Sequence, residues 1–138
     1  MSRPLDPPVD RQTFRLDFAP LDQDIDENGH VNNVVYLAWM QQIAIAHWTA
    51  RAPPDQQPLW AWIALRHEID YRRPLLPGET ASAVTWLGAR RGPRFDRYVR
   101  IDGPDGEMCA QTRSEWCLID ARTRKPVRVP DWMEAMFT

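Results

Sequence analysis

The chain has little of several things that would classify a protein on their own. It carries two cysteines, Cys109 and Cys117, eight residues apart in one expected strand. Two thiols make no disulfide framework, and a structural zinc site needs more ligands at short spacing. Buried free thiols in a reducing compartment are therefore expected. Lysine is nearly absent: of 17 Lys+Arg residues only Lys125 is a lysine. The formal charge is −2, which leaves no basic field to hold nucleic acid. No stretch approaches the ~20 apolar residues of a membrane span. The start, Met1-Ser2-Arg3-Pro4, leads into proline and charge, so no signal peptide and a cytoplasmic location are expected. There is no internal repeat, no low-complexity tract and no Gly-x-Ser-x-Gly turn for a serine nucleophile.

What is present fits one domain spanning 1–138, long enough for a real core but not for two. Residues 1–11 contain Pro4, Pro7 and Pro8 and are expected to form a loose arm. Residues 13–18 alternate apolar with polar and predict a strand with Phe14, Leu16 and Phe18 on one face. Residues 20–30 are rich in acids and read as a loop. From Val31 to about Arg51 no proline or glycine occurs, and the pattern is helical. Asn32 or Asn33 can cap this helix, and Ala52-Pro53-Pro54 stops it. Between Val34 and Ala46 only Gln41 and Gln42 are strongly polar, which predicts a helix buried on all sides. Four more strands are expected over 59–72, 79–88, 94–102 and 107–119. In the first of these Ile63, Leu65, Ile69 and Tyr71 should share one face. Gly92-Pro93 and Gly103-Pro104-Asp105-Gly106 make the links short, which favours an antiparallel meander. The tail, 126–138, can form a short helix.

The order β-α-β-β-β-β predicts an α+β protein with about five antiparallel strands wrapped around one long central helix. A plain sandwich with the helix on one face is the alternative. Exposed edge strands would be covered by pairing two copies, so a homodimer or a dimer-of-dimers tetramer is expected.

The loop Asp24-Ile25-Asp26-Glu27-Asn28-Gly29-His30-Val31-Asn32-Asn33 gathers catalytic residue types just before a helix. Were it extended, Asp26, Asn28 and His30 would project on one side. The helix start offers unpaired N–H groups and the positive end of a dipole. A carboxylate beside such donors suits acyl transfer: it can activate water or attack a carbonyl, while the donors hold the oxyanion. Asp-Glu-Asn-Gly is also an ordinary turn and Asn an ordinary cap. Arg72, Arg73, Arg90, Arg91 and Arg94 near strand ends can meet phosphates or form a solvated rim. Trp60, Trp62 and Trp86 can line an acyl pocket or pack in the core or an interface. His47 and His67 are expected to be packed or hydrogen-bonded.

Asp-x-Asp-x-x-Gly-His-Val-Asn-Asn-x-x-Tyr, from Asp24 to Tyr36, resembles the signature of the 4-hydroxybenzoyl-CoA thioesterase-like hotdog family. The resemblance covers roughly residues 12–120. It implies a hotdog fold, dimers or tetramers, and hydrolysis of acyl-CoA without a metal or other cofactor, coenzyme A being part of the substrate. The family's catalytic aspartate, three residues before the motif glycine, falls on Asp26. The amide that polarises the thioester carbonyl, four residues after it, falls on Asn33. The segment is also similar to the plant acyl-carrier-protein thioesterase motif, matched by Asp26, Asn28 and His30. Asp70-Tyr71-Arg72-Arg73 resembles the Glu-Tyr-Arg-Arg stretch of those enzymes, but Pro74 stands where they carry a catalytic Glu. The expected catalytic set is thus Asp26, Asn28, His30 and Asn33, with Tyr36, Arg72, Arg73 and Arg91 as candidate substrate-binding residues. Two other functions share the fold. A hotdog hydratase or dehydratase would carry Asp-x-Asn-Pro-x-His, whose His lies five positions after the Asp, against four here and no proline. A non-catalytic acyl-CoA-binding protein would bind without turnover.

Overall fold

In the computed structural model, which describes residues 3–138, the alternating segments become five strands. These are β1 (Phe14–Phe18), β2 (Trp60–Tyr71), β3 (Ala81–Arg91), β4 (Arg94–Asp102) and β5 (Met108–Asp120). The proline-free segment becomes α1 (Asn33–Arg51), and the tail contributes α2 (Asp131–Ala135). All strands pair antiparallel in one sheet ordered β1-β3-β4-β5-β2. β1 and β2 are thus opposite edges, and α1, which connects them, must cross the face of the sheet. This is the sheet wrapped around a helix that the element order predicted, the hotdog arrangement.

α1 buries Tyr36, Trp39, Met40, Ile43, Ala44 and His47, positions spaced to form one stripe. The expected burial on all sides is not met. Val34 is 70% exposed and Ile45 60%, because a single sheet has one concave face and can cover only one side of a cylinder. Its N-terminal half packs into a cluster with Phe18, Leu75, Val99 and Ile101. A second cluster, beside its C-terminal half, holds Leu87, Phe95, Leu118, Val129, Met133 and Phe137. Met133 and Phe137 are 0% and 1% exposed. Burying such a side chain stabilises by about 1.5–3 kcal/mol, enough to fasten α2 although it has only five residues.

One feature of β2 was illegible in the sequence. Ala64 pairs with Trp116 but Arg66 with Glu115, so Leu65 is an extra residue, a bulge. Strand faces alternate with period two, so one extra residue exchanges them. Ile63, opposite Cys117, therefore lies on the other face from Ile69, opposite Thr112. Trp60 and Trp62 instead share the inner face with His67, Ile69 and Tyr71. Trp86, opposite Tyr98, points to the outer face and stacks on that ring at 5.8 Å, so the three tryptophans do not form one wall.

Met1 and Ser2 of the expected arm lie outside the described residues. Residues 3–11 have no regular element but are tied to the sheet. Leu5 N donates to Gln111 Oε1 at 2.7 Å, Gln111 Nε2 to Arg3 O at 3.1 Å, and Arg100 Nη1 to Leu5 O at 3.1 Å. Both cysteines are free and buried.

Candidate active site

The loop before α1 is closed, not extended. Ile25 and Val31 form an antiparallel bridge. Within it, Asp26 N donates to His30 O at 2.9 Å and Gly29 N to Asp26 O at 3.0 Å. Gly29 has φ +77°, a left-handed conformation that costs glycine little and other residues more. Asp26, Asn28 and His30 are thus brought together by a turn, not by strand alternation. Asp26 Oδ1 accepts from Asn28 N at 2.9 Å and, more weakly, from His30 N at 3.4 Å. Its Oδ2 has no protein partner among the described residues. Val31 N donates to Leu75 O and Asn32 N to Asp24 O, at 2.9 and 2.8 Å, fixing the loop to the segment after β2 and to its own entry.

Asn32 is the cap. Its Oδ1 accepts from Val34 N at 3.0 Å, and its carbonyl from Val35 N at 2.9 Å. The N–H of Asn33, first residue of α1, has no partner among the described residues. It is one of the donors a helix start leaves free. Tyr71 Oη donates to Asn33 O at 3.2 Å, tying the helix start to the end of β2.

A cavity of about 270 Å³ collects Asp26, Asn28, His30, Asn33, Tyr36, Arg72 and Arg73. Arg72 leaves Nε and Nη2 buried without a partner. Arg73 is committed to the protein. It makes a two-pronged pair with Glu79 at 2.8 and 3.0 Å, bonds Asp105 Oδ2 at 2.9 Å and donates to Pro74 O. The Glu79 hydrogen bonds raise the Arg73 pKa, and Arg73 in turn lowers that of Glu79. Tyr36 is a buried wall whose hydroxyl accepts from Leu75 N at 3.0 Å.

Arg91 is not brought to this cavity. It lies on the outer face, where Nη1 and Nη2 bond Asp96 at 3.1 and 2.9 Å and Nη2 bonds Glu115 at 3.1 Å. The register explains this: Arg91 ends β3 opposite Arg94, which pairs with Cys117, at the other end of the sheet from Tyr71 and Cys109 in the cavity wall. His67 is hydrogen-bonded, its Nδ1 2.6 Å from Ser114 Oγ.

Tyr71 and Cys109, also in the cavity wall, were not singled out as site residues from the sequence. Tyr71 shares the inner face with Ile69 by plain alternation, as expected; the Leu65 bulge changes only the phase of the strand before it. Burial pushes the Cys109 thiol up to about 11, so at neutral pH it is no thiolate nucleophile. Among the described residues no cluster of His, Cys, Asp and Glu is arranged to hold a metal ion, and no helix is long and apolar enough to cross a membrane.

Known proteins resemble the chain in sequence and in fold. Residues 20–137 match the model of the Thioesterase-like superfamily. The chain is 27% identical over 119 residues to the Bacillus subtilis (strain 168) protein named "Putative acyl-CoA thioesterase YneP", covering 81% of this chain and 86% of that one. A thioesterase from Thermus thermophilus, crystallised with coenzyme A and Zn, superposes with a TM-score of 0.78 at 22% identity, covering 88% of this chain and 89% of that one. The 1,4-dihydroxy-2-naphthoyl-CoA thioesterase Slr0204 from Synechocystis superposes at 0.76 with 18% identity, covering 90% and 95%. The shared fold, and a family match that includes the loop and nearly everything after it, make the chain a member of the thioesterase-like superfamily.

Proposed function

We propose that the protein hydrolyses acyl-CoA thioesters, with acyl groups on a carrier protein as substrates of the same chemistry, to a free carboxylic acid and a thiol. One observation carries this: the unpartnered Oδ2 of Asp26 and the unpartnered N–H of Asn33 belong to residues of one cavity. Asp26 either takes a proton from water as the oxygen attacks the thioester carbonyl, or attacks that carbon itself. The Asn33 N–H and the α1 dipole hold the oxyanion. Collapse breaks the C–S bond, and the thiolate leaves and is protonated; on the nucleophilic route water then cleaves the Asp26–acyl anhydride, which releases the acid and restores the carboxylate. His30 and Asn28 order the loop and the incoming water. Arg72 offers a planar cation to the phosphates of coenzyme A. No resident cofactor is needed.

General-base catalysis contributes ~10²–10⁴-fold. Asp26→Asn, which keeps an acceptor for the Asn28 and His30 amides, should therefore lower thiol release by at least ~100-fold without changing the melting temperature by more than a degree or two. Undiminished turnover in that variant would sink the assignment. Crotonyl-CoA in the same assay, followed for water addition, separates hydrolysis from hydration.

The functional unit is proposed to be a dimer through β2. Ile63 is 42% exposed, Leu65 49% and Tyr71 39% on this free edge. Antiparallel pairing about the midpoint of β2 sets the Trp60 end of one copy beside the Tyr71 end, and hence the Asp26 loop, of the other.

A further inference from the structure

A second cavity, of about 250 Å³, lies between the C-terminal half of α1 and the Trp60 end of β2. Its walls are largely aromatic, with Trp48, Trp60, Trp62, Trp116 and Phe95, and into this apolar setting comes Arg97. Arg97 is 6% exposed. Its Nη1 donates to Thr85 Oγ1 at 2.9 Å and meets His47 Nδ1 at 3.1 Å. Among the described residues no carboxylate pairs with it, and its Nε and Nη2 have no protein partner. Since Nη1 donates, Nδ1 of His47 accepts and the imidazole is neutral, its proton on Nε2. Burial lowers the His47 pKa to about 3, with Arg97 and Arg51 adding to the effect. Burial also lowers Arg97, to about 9, so it remains a cation at neutral pH.

Two more donors are unmet. His47 Nε2, behind Arg97, and Trp116 Nε1 are both buried without a partner. A buried cation lacking a counter-charge is among the most costly features of a protein interior, and a leucine or methionine would fill the site at less cost. His47 does not line the cavity, but the unmet groups that belong to its lining residues, Arg97 and Trp116, are donors. The missing element is an acceptor carrying negative charge. Aromatic walls of this kind often hold cations, but Arg97 repels them.

We propose that this cavity binds the carboxylate end of an apolar group, the two oxygens facing the free Nε and Nη2 edge of Arg97 and the ring or chain lying against the tryptophans. An apolar cavity of about 150 Å³ holds benzene, so this one takes one substituted ring or a short chain, not a long fatty acyl tail. That the occupant is the acyl part of a thioester rests on the proposed hydrolase function. Within one chain the cavity lies roughly 12 Å along α1 from the Asp26 site, eight helical residues from Tyr36 to Ala44, and in the β2-paired dimer it adjoins the other copy's loop. The preferred substrates are thus mono-thioesters of dicarboxylic acids.

Two arms test this on the full chain. In the first, benzoate and its neutral isostere benzyl alcohol are titrated, read by tryptophan fluorescence and melting temperature. Benzoate should saturate, raise the melting temperature, and bind at least tenfold more tightly than the alcohol. Arg97→Met should weaken benzoate tenfold or more and abolish that difference, with Arg97→Lys intermediate. Should Arg97→Met not fold, the wild-type comparison decides alone. Absence of saturable benzoate binding, equal affinity for both probes, or full benzoate affinity in a folded Arg97→Met protein would each overturn the proposal. In the second arm, kcat/KM for 4-carboxybenzoyl-CoA over benzoyl-CoA should be at least 10 in the wild type and fall toward unity in Arg97→Met; an unchanged ratio counts against the site. Benzoate binding with no thiol release from either ester removes the hydrolase and leaves the site standing.

Discussion

Asp26 holds its loop with one carboxylate oxygen and leaves the other to the cavity. That division allows base and nucleophile to be told apart. In a single turnover in ¹⁸O-labelled water, a base places the label in the released acid at once. A nucleophile forms a mixed anhydride, and water attacking its Asp26 carbonyl leaves an unlabelled carboxylate oxygen in the acid and label in Asp26. The second informative residue is His47, 0% exposed and stacked on Phe14 at 5.1 Å. Its pKa is near 3 in the fold and about 6.5 in an unfolded chain. Below pH 6.5 the unfolded state therefore takes up a proton that the folded state refuses. Stability is complete above that pH and falls as pH drops toward 3, by up to about 1.4 kcal/mol per unit. Urea midpoints between pH 7 and pH 4 should show this slope in the wild type and a flatter one in His47→Gln; identical slopes would show that His47 titrates normally.

At the scale of elements, the site depends on how α1 begins and how β2 is phased. Asn32 supplies the side-chain cap on α1, and Asn32→Ala should cost about 1 kcal/mol of stability. Fraying there frees Asn33 as well, so kcat should fall while the isolated Asp26 loop remains; thermal melts and steady-state kinetics on one preparation check both. Leu65 has a different role. Deleting it joins Ala64, opposite Trp116, directly to Arg66, opposite Glu115, which restores uninterrupted alternation and keeps Trp60 and Trp62 on the inner face. The deletion variant should therefore keep the Arg97 cavity and an unshifted tryptophan emission; a red-shifted emission would show that the first half of β2 had slipped to the other phase. The motif loop was legible because cap and turn chemistry are local. The bulge was not, because it is specified by packing between β2 and β5, and a run such as Ile-Ala-Leu-Arg-His reads equally well in either phase.

For the whole molecule, the edge β2 and the outer face of α1 leave Ile63, Leu65, Val34 and Ile45 in solvent, an apolar area a lone chain would not be expected to keep bare. Light scattering should give a dimer at micromolar concentration. Leu65→Asp should shift it toward monomer, with loss of turnover, whereas a wild-type protein that stays monomeric while active would exclude the shared edge. The expectation that α1 is buried on all sides failed because one sheet supplies one concave face, and the rest of the helix surface stays exposed.

By itself the sequence determined the order of elements, the capped helix, the Asp26–Asn33 loop and the family resemblance, because turn, cap and period signals act over a few residues. Tertiary structure alone decided which side chains meet. It sent Arg91 to carboxylates on the outer face, spent Arg73 on Glu79 and Asp105, and left Arg72 unpaired beside Asp26. It also parted Trp86 from Trp60 and Trp62, and enclosed Arg97 and His47 with no acid between them. These outcomes follow from strand register and burial, which depend on contacts between residues tens of positions apart that no local pattern encodes.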